Sequence, residues 1–330
     1  MRDPAFWWRR AGLQAALLSP IAAIYGAVAG SRMRRQGARL GVPVVCAGNF
    51  TLGGSGKTPT AIAIANILAV AGKRPALLTR GYGGSEAGPL RVDAAHHSGA
   101  QVGDEALLLA RAAPTFVARD RVAGARLAQA EGCDVIVMDD GLQNSSLAKD
   151  FTVAVIGGSR GFGNGMTFPA GPLRAPLSVQ WPRVDAVLIV GKPGSGLLER
   201  LRLHTKPVFQ ARYRPDEKAL TALRPRKTLA FAGIGNPDQF FAMLAEAGVD
   251  APVRHAFPDH YRFQAEDAGA LIAQAERQGL TLVTTEKDKM RMIGEPALAA
   301  LYERARALPV TLALDEEANF KALLLEKIRR

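Results

Sequence analysis

Cysteine is scarce in this chain of 330 residues, with only Cys46 and Cys133 present. Both lie in apolar, strand-like stretches. Two thiols cannot staple a disulfide framework, and buried thiols fit a reducing compartment such as the cytoplasm. Aromatic residues are also few, at 6%. No RNP-like aromatic segment, recognition helix or zinc-ligand spacing directs this basic chain to nucleic acid. Acidic residues fall short of basic ones, 30 against 42, which leaves a net charge of +12. There is no internal repeat and no low-complexity tract. A hydrophobic content of 48% is enough for two packed α/β units plus an appendage.

The positive excess is unevenly placed. Arg2, Arg9, Arg10, Arg32, Arg34, Arg35 and Arg39 face the single acidic residue Asp3 within the first 40 positions, and this segment holds half of the net charge. These arginines bracket an uncharged stretch, 11–30, that admits three readings. Leu13, Leu17, Ile21, Ile24 and Val28 recur at helical spacing as one bulky stripe, with Gln14, Ala15, Ser19, Ala22 and Gly26 on the other face. Phe6, Trp7 and Trp8 beside Arg9 and Arg10 suit a headgroup boundary. A helix lying on an anionic membrane surface is the favoured reading. A buried helix capping the core is the second. A signal or spanning segment is the third, with Ala27-Val28-Ala29 resembling a cleavage site. Basic clusters at both ends argue against spanning.

From Val44 onward, short β-rich runs alternate with helical patterns. Strands are expected at Val44–Ala47, Ala76–Thr79, Thr115–Ala118, Asp134–Met138, Thr152–Ile156 and Ala186–Val190. Helices are expected at Thr58–Val70, Glu105–Ala112 and Arg121–Ala130. A Gly-, Pro- and Arg-rich loop region occupies about 157–183. A second series follows, with strands at Thr228–Ile234, Leu280–Thr285 and Val310–Leu314 and helices at Asp238–Ala247 and Ala265–Gln278. The alternation predicts an α/β fold of P-loop NTPase type, a mostly parallel sheet with helices on both faces. A second, smaller α/β domain and the membrane-associating helix complete it. The expected divisions are 1–35 for that helix, 36–204 for the P-loop domain, 205–226 for a polar, basic linker and 227–330 for the smaller domain.

The first strand runs into Thr51-Leu52-Gly53-Gly54-Ser55-Gly56-Lys57-Thr58 and then a helix, the context of a phosphate-binding loop. Gly53, Gly54 and Gly56 let backbone N–H groups converge on phosphate oxygens, and the helix N-terminus adds partial positive charge. Lys57 is expected to reach the β- and γ-phosphates and Thr58 to hold Mg²⁺. Thr51 stands where the generic motif has glycine. The run Val135-Ile136-Val137-Met138 predicts a buried strand that delivers Asp139 and Asp140 at its C-terminal end, where ligands bind in open α/β sheets. Two carboxylates there suit Mg²⁺. No N-K-x-D guanine motif is present, since Thr285-Glu286-Lys287-Asp288 sets Lys beside Asp, so adenine and hence ATP is the expected base.

Further signatures follow in order: Arg80-Gly81-Tyr82-Gly83, Gly103-Asp104-Glu105, Asp139-Asp140-Gly141-Leu142-Gln143 and Ala170-Gly171-Pro172-Leu173-Arg174. Then come Phe231 to Pro237, Phe257-Pro258-Asp259-His260 and Thr284 to Asp288. Over nearly the whole chain this series resembles the tetraacyldisaccharide 4'-kinase family, the lipid A 4'-kinases of Gram-negative bacteria. The resemblance implies transfer of the γ-phosphoryl of ATP to the 4'-hydroxyl of a tetraacylated glucosamine disaccharide 1-phosphate, in a cleft between two domains. It implies Asp104 as general base, supported by His260 from the other domain, a pair that assembles only on closure. A helix N-cap is the plain alternative for Asp104. Arg174, by its matching motif, and then Arg121 are the arginines expected to stabilise phosphoryl charge. Glu105 joins Thr58, Asp139 and Asp140 as an expected Mg²⁺ ligand. The family tends to lack the first P-loop glycine, but Asn144 departs from its usual histidine and cannot act as acid or base. The implied partners are the lipid precursor and an anionic membrane surface, with no nucleic acid and no protein partner. The site is expected at the cytoplasmic face of the inner membrane. Two other readings share the P-loop: a membrane-recruited ATPase switch, and a kinase for a soluble acceptor, which would need no basic amphipathic helix.

Overall fold

Among residues 3–202 and 205–329, which the computed structural model describes, the strands fall into two sheets. Arg2 and the expected boundary at residue 204 lie outside the described residues. In chain order, β1 (Val44–Gly48), β2 (Pro75–Thr79), β3 (Leu90–Arg91), β4 (Thr115–Val117) and β5 (Val135–Asp139) begin the larger sheet. It continues with β6 (Phe151–Gly157), β7 (Ala186–Val190) and β8 (Val208–Pro215). The smaller sheet holds β9 (Thr228–Ala232), β10 (Val253–Ala256), β11 (Thr281–Thr285) and β12 (Arg306–Leu308), after which β13 (Val310–Leu314) returns to the larger one. The larger order is β13-β8-β7-β6-β1-β5-β2-β4-β3 and the smaller β10-β9-β11-β12. Pairings are parallel throughout except at the two edges of the larger sheet, β13 with β8 and β3 with β4.

The central strands are continuous apolar runs because both of their faces are covered. On β1, Val45 and Ala47 pack with Ile64 and Leu68 of the helix Lys57–Val70. Val44 and Cys46 pack on the opposite side with Ala125 and Ala128 of the helix Arg121–Ala130. Burial pushes the Cys46 thiol up to about 11, and both cysteines are free and buried.

Two expectations need correction. The stretch 205–226 contains β8 and the helix Glu217–Leu223 instead of a linker. Its polar composition reflects alternation, since Phe209 and Ala211 are buried while Gln210, Arg212 and Arg214 face outward. Val310–Leu314 is a strand as expected, but it pairs antiparallel with β8. The helix Glu317–Lys327 follows it onto the larger core, where Phe320 packs edge-on against Phe151 and Phe209. The smaller lobe is therefore bounded by β8 and β13. Where they cross into it, the Asp216 N–H donates to the Pro309 carbonyl at 2.9 Å.

The N-terminal helix runs from Leu13 to Met33. Its small face, Ala15, Ala22, Gly26 and Gly30, is buried, and a Cβ on Gly26 would come within 3.2 Å of Pro176. The bulky stripe points away from the protein, with Leu13, Leu17, Ile21, Ile24 and Val28 between 48% and 76% exposed. Burial of the stripe against the core is thereby excluded. Trp7 anchors the preceding turn by donating Nε1–H to the Pro169 carbonyl at 3.0 Å.

Candidate active site

β1 and β5 are neighbours with Ala47 opposite Asp139, so the loop leaving β1 and the carboxylates ending β5 meet at one sheet edge. The loop needs glycine where it turns most sharply. Gly53 and Gly56 have φ of 90° and 93°, and a Cβ on Gly56 would lie 2.9 Å from the Tyr213 hydroxyl. Thr51 needs no such freedom, because it runs as a short antiparallel bridge beside Leu173. Leu52 N–H donates to the Pro172 carbonyl at 2.8 Å. Arg174 ties loop and strand together. Its Nε donates to the Thr51 carbonyl at 2.9 Å and its Nη1 to both oxygens of Asp140 at 2.8 and 3.0 Å.

Thr58 Oγ1 donates to Asp139 Oδ2 at 2.9 Å, and Lys57 Nζ lies 3.8 Å from Asp140 Oδ2. Burial opposes ionisation of Asp140, but Lys57 and Arg174 outweigh it and hold this carboxyl below its usual range. Asp139 has the opposite fate. Burial, then the charges of Glu105 and Asp140, push it up to about 7. Burial also lowers Lys57 below an ordinary lysine, with Asp140 opposing. Asp139 Oδ1 and Ser55 Oγ are buried with no hydrogen-bond partner in the protein. Orphaned oxygens beside a threonine hydroxyl fit Mg²⁺, which takes one or two protein oxygens and completes its shell with water and phosphate. No group of three or more acidic, His or Cys side chains forms a self-sufficient metal cage among the described residues.

The other half of the site is built between the lobes, with Asp104 from the larger one and His260 and Arg291 from the smaller. Asp104 is the first residue of the helix Asp104–Ala110 and makes no capping bond, which removes the N-cap alternative. It accepts from Arg291 Nε at 2.7 Å, and His260 Nδ1 stands 3.4 Å from the same oxygen. Burial would raise the Asp104 carboxyl, but His260, Lys287 and Arg291 outweigh it and hold it well below the usual range. His260 has φ of 56°, and the Tyr82 ring meets its imidazole edge-on at 5.4 Å. A cavity of about 660 Å³ separates the halves, lined by Gly54, Lys57 and Thr58 on one side and Asn236 and Lys287 on the other.

Two expected residues sit differently. Glu105 lines the cavity but is paired with Lys287 Nζ at 3.0 Å, so its charge is already matched across the cleft. Arg121 does not line the cavity. It is 4% exposed and donates to the Ala118 carbonyl, and burial brings it down to about 10. Its charge supports Asp139 and Asp140 from behind. Asn144 folds back on its own turn, accepting from Ser146 N and Oγ at 2.9 and 2.7 Å. Sequence reasoning passed over Lys287 and Arg291. The signal lies in Thr284 to Asp288, which fails as a guanine motif and serves as a family signature, with no role assigned to its lysine. Arg160 was missed as well. It lines the cavity, pairs with Asp3 at 3.1 Å and stacks over Trp8.

The family model for tetraacyldisaccharide-1-P 4'-kinase matches residues 14–329. The chain belongs to that family. It is 54% identical over 334 residues to the tetraacyldisaccharide 4'-kinase of Methylobacterium sp. (strain 4-46), covering 100% of this chain and 98% of the relative. It is 49% identical over 336 residues to the Nitrobacter winogradskyi enzyme of the same name, covering 100% and 99%. Among solved structures, LpxK from Aquifex aeolicus in complex with ATP superposes with a TM-score of 0.75 at 26% identity, covering 96% of this chain and 100% of that one. Tetraacyldisaccharide 4'-kinases are ATP-dependent phosphotransferases, and here the P-loop shares one cavity with charged side chains of both lobes, Glu105 and Lys287.

Proposed function

We propose that this chain transfers the γ-phosphoryl group of ATP to the 4'-hydroxyl of a tetraacylated glucosamine disaccharide 1-phosphate at the cytoplasmic face of the inner membrane. The observation that carries the reading is the Asp104–His260 contact, built from two lobes next to Glu105 and Lys287, which share the cavity with the P-loop. A simple ATPase switch needs no such acceptor-side carboxylate.

In this reading the backbone N–H groups of 53–58 and Lys57 hold the β- and γ-phosphates, and Arg174 fixes the loop from behind. Thr58 and Asp139, with Asp140 near, would hold Mg²⁺. The ion, when bound, would supply charge neutralisation to the nucleotide phosphates. Asp104 accepts the proton of the 4'-hydroxyl as its oxygen bonds to phosphorus and the bond to the β-phosphate oxygen breaks. A carboxylate held below its ordinary pKa is a weak base. It suits a loose transition state, in which the hydroxyl becomes acidic only late.

The exposed stripe of the N-terminal helix supports the membrane assignment. By length and composition the helix is also able to cross a membrane, but its buried small face and flanking arginines favour a surface position. The test is incubation with γ-labelled ATP and the tetraacyl disaccharide 1-phosphate in mixed micelles. Label should enter the lipid at the 4'-position. Release of inorganic phosphate with none in lipid would instead establish an ATPase.

A further inference from the structure

Lys287 is drawn into the acceptor side of the cleft by carboxylates. Its Nζ lies 3.0 Å from Glu105 Oε1, 3.9 Å from Asp259 Oδ1 and 3.2 Å from His260 Nε2. Burial works against the ammonium, yet Glu105, Asp104 and Asp259 outweigh it and raise Lys287 above an ordinary lysine. The side chain therefore stays protonated across the working range of a neutral-pH enzyme. An ammonium has three donors and no acceptor. Its contact with His260 has only one sense: Nζ donates, Nε2 accepts, and the ring proton is confined to Nδ1. That nitrogen faces Asp104 Oδ2. Arg291 Nε approaches the same oxygen, so Oδ1 is left for the acceptor hydroxyl.

We propose that Lys287 is a positioning residue that locks His260 in its Nδ1–H tautomer, so that His260 orients Asp104 and relays no proton. A relay through the ring would need Nε2 to pass the proton onward, and the ammonium covers that atom. A free imidazole in water favours the Nε2–H form, so the lock selects the less common tautomer. The backbone helps to hold the ring in place, with His260 in the left-handed region and its N–H on the Gly233 carbonyl at 3.2 Å. The inference rests on Asp104 being the base, as proposed above.

The tautomer can be read directly by nitrogen NMR of the full-length protein labelled at histidine, with His260→Gln used for assignment. Wild type should show a protonated, pyrrole-type Nδ1 and a pyridine-type Nε2 at His260. Lys287→Met keeps an unbranched side chain, shorter by the amino group, and removes the donor, and should move the proton to Nε2 or to an average of both. Lys287→Arg, still a pure donor, should keep Nδ1–H. Turnover should follow the tautomer: kcat down roughly tenfold to a hundredfold in Lys287→Met, largely restored in Lys287→Arg, with KM for ATP nearly constant. A pyrrole-type Nε2 in wild type overturns the proposal, as does an unchanged Nδ1–H in Lys287→Met. The wild-type spectrum decides even if Lys287→Met folds poorly. Wild-type turnover in Asp104→Asn would sink the base assignment while leaving the tautomer result standing.

Discussion

Arg291 and Asp104 share a 2.7 Å hydrogen bond between lobes, and both side chains are less than a tenth exposed. Arg291 Nη1 continues to the Gly233 carbonyl and to Asp288 Oδ1, each at 2.6 Å, so one guanidinium joins the end of β9, its own helical turn and the helix Asp104–Ala110. Arg291→Met would strand two buried carboxylates, a loss of about 3–5 kcal/mol. Because the native Asp104 carboxyl is held below its ordinary value of 3.8, its stabilisation is complete above that pH and is lost as pH falls through the lower folded value. The Tm deficit of Arg291→Met should therefore be full at pH 7 and shrink below about pH 4. A deficit independent of pH would mean that packing, and not the ion pair, is what was removed.

Lys57→Ala should lower phosphoryl transfer by roughly 10²–10³-fold while leaving the fold intact, since the lysine lines the cavity and holds no core. Circular dichroism checks the fold and the micelle assay checks the rate. Near-normal turnover in a folded Lys57→Ala protein is incompatible with the phosphate role.

Asp139→Asn and Asp140→Asn should both raise the Mg²⁺ concentration needed for half-maximal rate. Asp139 should matter more, because its oxygen is shared with Thr58 and its second oxygen has no partner in the protein. Titrating Mg²⁺ at saturating ATP separates the two. Identical Mg²⁺ curves for wild type and both variants would leave this strand end a purely structural feature.

Asp104→Asn should slow transfer roughly a hundredfold or more and hardly change ATP affinity, since its proposed role is on the acceptor. His260→Ala should have a smaller effect of the same kind. The two sit 3.4 Å apart on one oxygen, so their double variant should lose less than the product of the single losses. Strict multiplication would show that they act independently.

Leu13, Leu17 and Ile24 are at least 70% exposed, so replacing all three by Ser should leave Tm nearly unchanged. On a bilayer the same changes remove on the order of 4 kcal/mol, roughly a thousandfold in partition. Co-sedimentation with anionic vesicles measures it. Wild-type binding should weaken with salt, because the flanking arginines act through screened charge. Removing residues 1–30 outright is a poorer test, since it also uncovers the protein beneath Ala22 and Gly26. Vesicle binding equal to wild type in the triple variant would retire the stripe as the docking face.

Much of this was legible in the sequence because the physical signal was local. Val44–Gly48 followed by glycines and Lys57 fixes strand, loop and helix within fifteen residues. The Val135–Asp139 strand reads the same way. Strand β8 was not legible, because exposed Gln210, Arg212 and Arg214 alternate with its apolar residues and, with a proline at its end, mimic a linker. The destination of β13 was also hidden, since its apolar run names no partner sheet. Lys287 and Arg291 escaped for another reason. Their importance lies in Glu105, His260 and Asp104, distant in the chain, and one basic side chain among 42 looks like another until the fold brings it to a carboxylate.

The smaller lobe is an insertion: the chain leaves the larger core at β8 and comes back at β13, and the two crossings touch through Asp216 and Pro309. A lobe on one tether could swivel freely, whereas this one hangs from two crossings at the edge of the larger sheet. Two adjacent crossings leave fewer directions of relative motion than a single tether would. His260, Lys287 and Arg291 thus face Asp104 and Glu105 from a lobe whose placement is fixed at two points of the chain instead of one.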